Sequence, residues 1–315
     1  MNRRTFLMSS VAMGTLALAA PQALAQGELT ILGSVPSLGF PFFVHMLKQI
    51  KVEAEAQGVN LIESDGQNSA PKQTADIESA IVQKVNAIVI SPLDVNALAP
   101  AIEQAIAAQI PVVTIDRRVD GVEGILAHVG ADNTKGGEAQ ANAMIAAFPD
   151  GATIFHLQGQ PGAGPAIDRN KGVHNILDGV ADKYKIIFEQ TANFARAEAL
   201  SVTEAGLAAN GKPDVIICAN DDMAFGAIEA CAARGFTDVA IYGFDALPEA
   251  IVAVRDGTMT GTVEQFPGEQ SRQAVRIAVA FARDGTAPAE KLVLLTPIVI
   301  GKDNLDQAER IGETM

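Results

Sequence analysis

Short apolar runs alternate with longer segments of helical period along most of the chain. LTILG (29–33), VNLIE (59–63), AIVIS (87–91) and PVVTID (111–116) are near-continuous hydrophobic stretches, the pattern of strands buried on both faces of a parallel sheet. Between them, residues 42–57, 70–84 and 95–108 repeat apolar positions every three or four residues and predict helices. The plan then recurs. ATIFHLQ (152–158), YKIIFEQ (184–190), DVIICAN (214–220) and VAIYGFD (239–245) alternate with helices predicted near 133–148, 166–178, 196–209 and 222–234. Two doubly wound parallel sheets are expected.

The last third breaks the alternation. MTGTVEQ (259–265), a helix at about 268–283 and the extended run LVLLTPIVI (292–300) come after an already complete second sheet. This segment is expected to return to the first lobe and cross back, with crossings near Gly130–Asp132, Glu264–Phe266 and Leu292–Thr296. The predicted fold is therefore α/β, two doubly wound parallel-sheet lobes joined by a multi-strand hinge. Residues 28–131 plus 266–293 form one lobe and 132–265 plus 294–315 the other. Two lobes joined by several crossings suit a ligand held between them.

Composition narrows the partners. The chain has 315 residues, 48% hydrophobic and 19% charged, enough for two cores. Its net charge of −14 and the lack of any basic run exclude nucleic acid. Residues 1–25 read as an export signal: Arg3 and Arg4 precede an apolar stretch over 11–20, and Ala23-Leu24-Ala25 forms a small-residue cleavage site. Arg-Arg-Thr-Phe-Leu is similar to a twin-arginine signal. Cleavage removes two arginines and no acid, taking the charge from −14 to −16, and places the mature protein in the periplasm. Cys218 and Cys231 fall on a predicted strand and helix, where two buried thiols are favoured over a disulfide.

In open α/β sheets ligands bind beyond the C-terminal strand ends. Here those positions carry Ser34 and GFPFF, Asn68, Asp116-Arg117, a GQPGAG loop leading to Arg169, Asn193-Phe194, Asn220 and Asp245, with Gln265 on a crossing strand. Carboxylate, amide and guanidinium groups each offer two hydrogen-bonding positions, suited to neighbouring hydroxyls. Singly, Asn68, Asn220 or Asp132 would serve equally as a helix N-cap, and Arg169 as a surface ion pair. Their convergence at successive strand ends points to a site. Three of only thirteen phenylalanines, Phe40, Phe42 and Phe43, stand at one strand mouth. Phe43 shares a helical stripe with Leu47, Ile50 and Ala54, whereas Phe40 and Phe42 lie off it, and Phe194 stands at another strand mouth. Flat rings complement the C–H face of a sugar, and forked polar groups its hydroxyl rim.

Through PFF, DGQN, SPLD, VTIDR, ADNTKGG, DRNKG, ANF, ANDDMAFGA, YGFD and VEQ, in that order, the chain resembles the type I periplasmic solute-binding proteins, ribose-binding branch, over nearly its whole mature length. The resemblance implies a monomeric bilobal binder that closes over a small neutral sugar or polyol and delivers it to the membrane permease of an ABC importer, without cofactor or metal. It places ring-stacking positions at Phe42, Phe43 and Phe194, and hydrogen-bonding positions at Asn68, Asp116, Arg117, Arg169, Asn220, Asp245 and Gln265. Two features depart from it: the Ser34–Pro41 loop is longer than in ribose binders, and Phe40 replaces an asparagine that contacts sugar. Ser34 and Phe40 are therefore possible specificity positions.

An enzyme is not expected. The chain has no nucleophile elbow, phosphate loop or dinucleotide fingerprint, and His45, His128, His156 and His174 lack metal-ligand spacing. Asp116 and Asp245 could serve as a glycosidase pair, but neighbouring arginines are expected to keep both ionised. An effector domain of a sugar-responsive repressor would carry a helix-turn-helix, whereas this chain starts with an export signal. Service to a chemoreceptor or sensor kinase remains an alternative to import.

Overall fold

The computed structural model describes residues 28–314; the expected export signal lies outside the described residues. The first βα run comprises β1 (Thr30–Val35), α1 (Pro41–Ala56), β2 (Asn60–Asp65), α2 (Ala70–Gln83), β3 (Ala87–Ile90), α3 (Ala99–Ala107), β4 (Val112–Ile115) and β5 (Ala127–Ala131). A second run continues with α4 (Asn133–Ala147), β6 (Ala152–Gln158), α5 (Gly164–Leu177), β7 (Tyr184–Thr191), α6 (Arg196–Asn210), β8 (Val215–Cys218), α7 (Asp221–Ala233), β9 (Ala240–Tyr242) and α8 (Pro248–Asp256). The chain ends with β10 (Thr262–Glu264), α9 (Pro267–Asp284), β11 (Leu292–Leu295), β12 (Ile298–Ile300) and short 3-10 turns.

Six strands form one wholly parallel sheet in the order β11-β5-β4-β3-β1-β2. Four form a second parallel sheet, β7-β6-β8-β9, and β10 pairs antiparallel with β12. Each parallel sheet reverses direction once, between β1 and β3 and between β6 and β8, where adjacent connections diverge and leave a crevice. The central strands β3, β4 and β8 are buried at every position, as their unbroken apolar sequences require. Three helix starts, those of α2, α4 and α7, are capped by side chains: Ser69 Oγ accepts from Lys72 N, Asp132 Oδ1 from Lys135 N, and Asn220 Oδ1 from Met223 N.

The return of the last third has a visible cause. α9 packs against α1 and over β3 to β5, with Arg276 Nη2 2.9 Å from Glu53 Oε2, and β11 then adds to β5 in the first sheet. Pro297 ends that strand, because proline offers no N–H to a ladder, so the run 292–300 divides between two sheets. Three other readings are corrected. β5 was not anticipated, since Ala-His-Val-Gly-Ala carries little hydrophobic signal; nor was the nine-residue α8. α3 starts at Ala99 rather than 95, because the Asp94 carboxylate accepts from Asn96 N and Ala97 N, both at 2.8 Å, and holds a separate turn there. Cys218 and Cys231 are free and buried.

Glycine sets the spacing of one helix pair that positions the site. A Cβ on Gly172 of α5 would lie 2.1 Å from the Thr134 carbonyl oxygen of α4, and one on Gly137 would lie 2.3 Å from that of Arg169. The two backbones therefore touch directly.

Candidate ligand-binding site

A small cavity lies between the C-terminal ends of the two parallel sheets. The first lobe contributes Phe40, Phe42, Phe43, Asp116 and Arg117 to its wall. From the second come Pro165, Arg169, Phe194, Asn220 and Asp245, and Gln265 stands just past the crossing strand β10.

The aromatic wall is built by the start of α1. Pro41 opens the helix, its fixed φ suiting the first turn, and the next two rings are locked edge to face at 5.2 Å. Phe40 meets Phe43 in the same manner at 6.3 Å. The Arg117 guanidinium lies 5.2 Å from the Phe43 ring centre and 5.7 Å from that of Phe194, and Arg169 lies 3.6 Å above Phe244. Stacking keeps these cations flat and their N–H edges directed.

Asp116 comes directly after β4 and receives a hydrogen bond from Ser91 Oγ at 3.1 Å; its Oδ2 is 3.8 Å from Arg117 Nε. Arg117 Nη1 donates to the Leu93 carbonyl at 2.8 Å and to Gln160 Oε1 at 3.3 Å. Arg169 Nε donates to Asn133 Oδ1 at 2.8 Å and its Nη1 to the Ala219 carbonyl at 2.6 Å, while Asp245 Oδ1 is 3.4 Å from Nη1 and accepts from Gln265 Nε2 at 2.6 Å. On the cavity wall two polar atoms stay buried without a hydrogen-bond partner: the donor Arg117 Nε and the acceptor Gln265 Oε1. Such orphans cost about 1 to 3 kcal/mol each, which a guest able both to donate and to accept would recover.

Burial reverses one expectation. The arginines do not hold the carboxylates in their ordinary range, because removal from water outweighs their attraction: Asp116 is raised, and Asp245 is pushed up to about 7. The same cause lowers Arg117 to about 10 and Arg169 below its ordinary value. Two acids thus stand beside two bases in a site shielded from water, where a guest with a full charge of its own would bring a further costly buried charge.

The main chain aims several of these groups. Asp116 has φ 55°, Phe194 62° and Asp245 106°, a region costing non-glycine residues about 1 to 3 kcal/mol apiece. Phe194 adopts it over Gly159, where a Cβ would fall 2.2 Å from the tip of the ring. Asn220 is both wall and cap, its Nδ2 donating to the Phe194 carbonyl at 3.2 Å while Oδ1 caps α7.

Two expected positions are not on the wall. Ser34 shares with Leu32 the strand face toward α2, as alternation dictates, and its hydroxyl is buried against Ser64 and Gln73. Asn68 stands exposed at the rim, its Oδ1 accepting from Gln160 Nε2 at 3.2 Å. Gln160 itself was missed. It lies just past β6 and bridges Asn68 and Arg117 of the opposite lobe, and its place after a strand was the available signal. Nor did histidine spacing reveal that the fold brings His156 and His174 together with Glu189.

Comparison with known proteins agrees with this architecture. A family model described as periplasmic binding protein domain matches residues 31–286. The ribose import binding protein of Bacillus subtilis is 40% identical over 242 residues, 76% of this chain and 77% of the relative. The galactofuranose-binding protein of Escherichia coli is 31% identical over 98% of this chain and 99% of its own. The Caulobacter myo-inositol binding protein, solved bound to myo-inositol, superposes with a TM-score of 0.87 at 40% identity, covering 90% of this chain and 97% of that one.

Proposed function

The chain belongs to the periplasmic binding protein domain family, and from that premise we propose that it captures a monosaccharide or sugar alcohol between its lobes and delivers it to the permease of an ABC importer. The carrying observation is the cavity wall, where two acids are set beside two bases, one donor and one acceptor are unpaired, and aromatic rings cover the apolar side. A neutral polyhydroxy ring answers all three conditions. The names of the relatives support the class: ribose, galactofuranose and myo-inositol are small neutral polyols.

The mechanism rests on closure. Residues 28–131 plus 266–295 form one lobe and 132–265 plus 296–314 the other, the last boundary falling at the end of β11 rather than at 293, and the three crossings between them act as a hinge. A guest favours the closed state because only there do both lobes hydrogen-bond it. Gln160 and the ion pair between Arg118 and Asp168 span the same gap and help to hold it shut. The protein acts as a monomer, and the segment 1–25 directs it through the twin-arginine route and is then cleaved.

A thermal-shift screen of the mature protein against pentoses, hexoses, cyclitols and alditols tests the ligand class. A neutral member should raise the melting temperature through its binding to the folded state, and its uronic acid or phosphate counterpart should not. A larger rise with a charged counterpart, or none with any neutral compound, would refute the reading. Phe194→Ala should weaken binding at least tenfold, a loss of about 1.4 kcal/mol, measured by calorimetry. Unchanged affinity would remove the ring from the site.

A further inference from the structure

On the outer flank of the second lobe, we propose that His156, His174 and Glu189 form a site for a divalent late-transition-metal ion of the zinc type. His156 on β6 and Glu189 on β7 are directly paired across the parallel ladder, and α5 lowers His174 onto the same face. The ligating atoms all lie within 4.8 Å of one another. His156 Nδ1 is 2.9 Å and His174 Nε2 2.8 Å from the same oxygen, Glu189 Oε1. Opening these separations to about 3.3 Å places three ligands around a tetrahedral ion with bonds near 2.0 to 2.1 Å. Glu189 is exposed and has room for that shift.

The surrounding groups favour an ion over a simple hydrogen-bonded cluster. Glu189 Oε1 also receives Gln158 Nε2 at 2.6 Å, so three donors converge on one oxygen. His174 Nδ1 lies 2.9 Å from Asp178 Oδ1, so a carboxylate oxygen stands beside each ring nitrogen. An ion held at Nε2 would leave Nδ1–H to donate to Asp178, which fixes the ring. Carboxylate–histidine–metal chains of this form orient ligands and raise their basicity. The nitrogen and oxygen donors suit zinc rather than calcium or magnesium. A groove lined by His174, Asp178, Tyr184 and Glu189 adjoins the cluster, giving access and a fourth position for water. His156 is buried, so the ion would staple β6, β7 and α5 together.

The test uses the mature protein, stripped with chelator and titrated with zinc chloride by calorimetry, with thermal melting and the visible spectrum of the cobalt-substituted form recorded afterwards. Wild type should bind one ion per chain, melt higher with zinc and give the intense visible bands of tetrahedral cobalt. His174→Gln and Glu189→Gln, both at solvent-reached positions, should each lose at least tenfold in zinc affinity and lose those bands, with sugar-induced thermal shifts retained. Absence of zinc uptake by folded wild type, or wild-type affinity in both variants, would overturn the proposal. Because the sugar response is read separately, failure here is distinguishable from failure of the proposed transport role.

Discussion

Asp116→Asn is expected to lower ligand affinity at least tenfold while the protein remains folded. Asparagine tolerates the φ of 55° at this position and still accepts from Ser91, but it no longer faces Arg117 as a carboxylate. Leaving a buried charged donor poorly paired costs about 2 to 5 kcal/mol in the bound state, or roughly thirtyfold to several thousandfold. Asp116→Ala should do more harm, because alanine is strained at that φ and the arginine loses its neighbour outright. Arg117→Ala should match it in affinity and also free Gln160 and the Leu93 carbonyl. Calorimetry with the ligand from the thermal screen decides: wild-type affinity in Asp116→Asn and Arg117→Ala would place recognition elsewhere.

Gly172→Ala should be strongly destabilising although it lies inside a helix. Alanine favours helix over glycine by about 1 kcal/mol. Against that, its methyl would fall 2.1 Å from the Thr134 carbonyl oxygen and 2.9 Å from Glu138 N, and main chain cannot swing aside as a side chain does. Overpacking costs about 1 to 3 kcal/mol where neighbours can adjust, and more where they cannot, so the net sign is loss. Relief requires α5 to move away from α4, taking Arg169 from Asn133. A fall of several degrees in melting temperature should therefore accompany weaker ligand binding. Gly179→Ala, with open space around its Cβ, is the control and should melt like wild type. Equal melting of both variants would show that the helices separate at little cost.

The legible parts of this fold are those where burial acts on every residue of a run. β3, β4, β6 and β8 stand out because both faces are covered, and the helices between them because one face is. β5 was illegible for the opposite reason: Ala-His-Val-Gly-Ala gains its place from neighbours on both sides, a tertiary cause with no local trace. The cavity wall could be anticipated from the residues at the C-terminal end of each strand, since parallel topology gathers those ends. Which way each group turns could not. Ser34 turns to the opposite strand face by a single step of alternation, and Asn68 sits at the rim in a left-handed turn, where it meets Gln160 from the other lobe. The charge state of Asp245 depended on how completely water is excluded, which the neighbouring arginines do not reveal.

The left-handed turns at Asp116 and Phe194 and the unusual main chain at Asp245 carry a lesson for redesign. Recognition is encoded there in the path of the polypeptide as much as in the identity of its side chains. Transplanting the same residues onto ordinary loops of another scaffold would leave them aimed astray. Exchanging residues in place on this frame would preserve the aim, so new specificities are best sought by altering what the turns present and leaving the turns themselves intact.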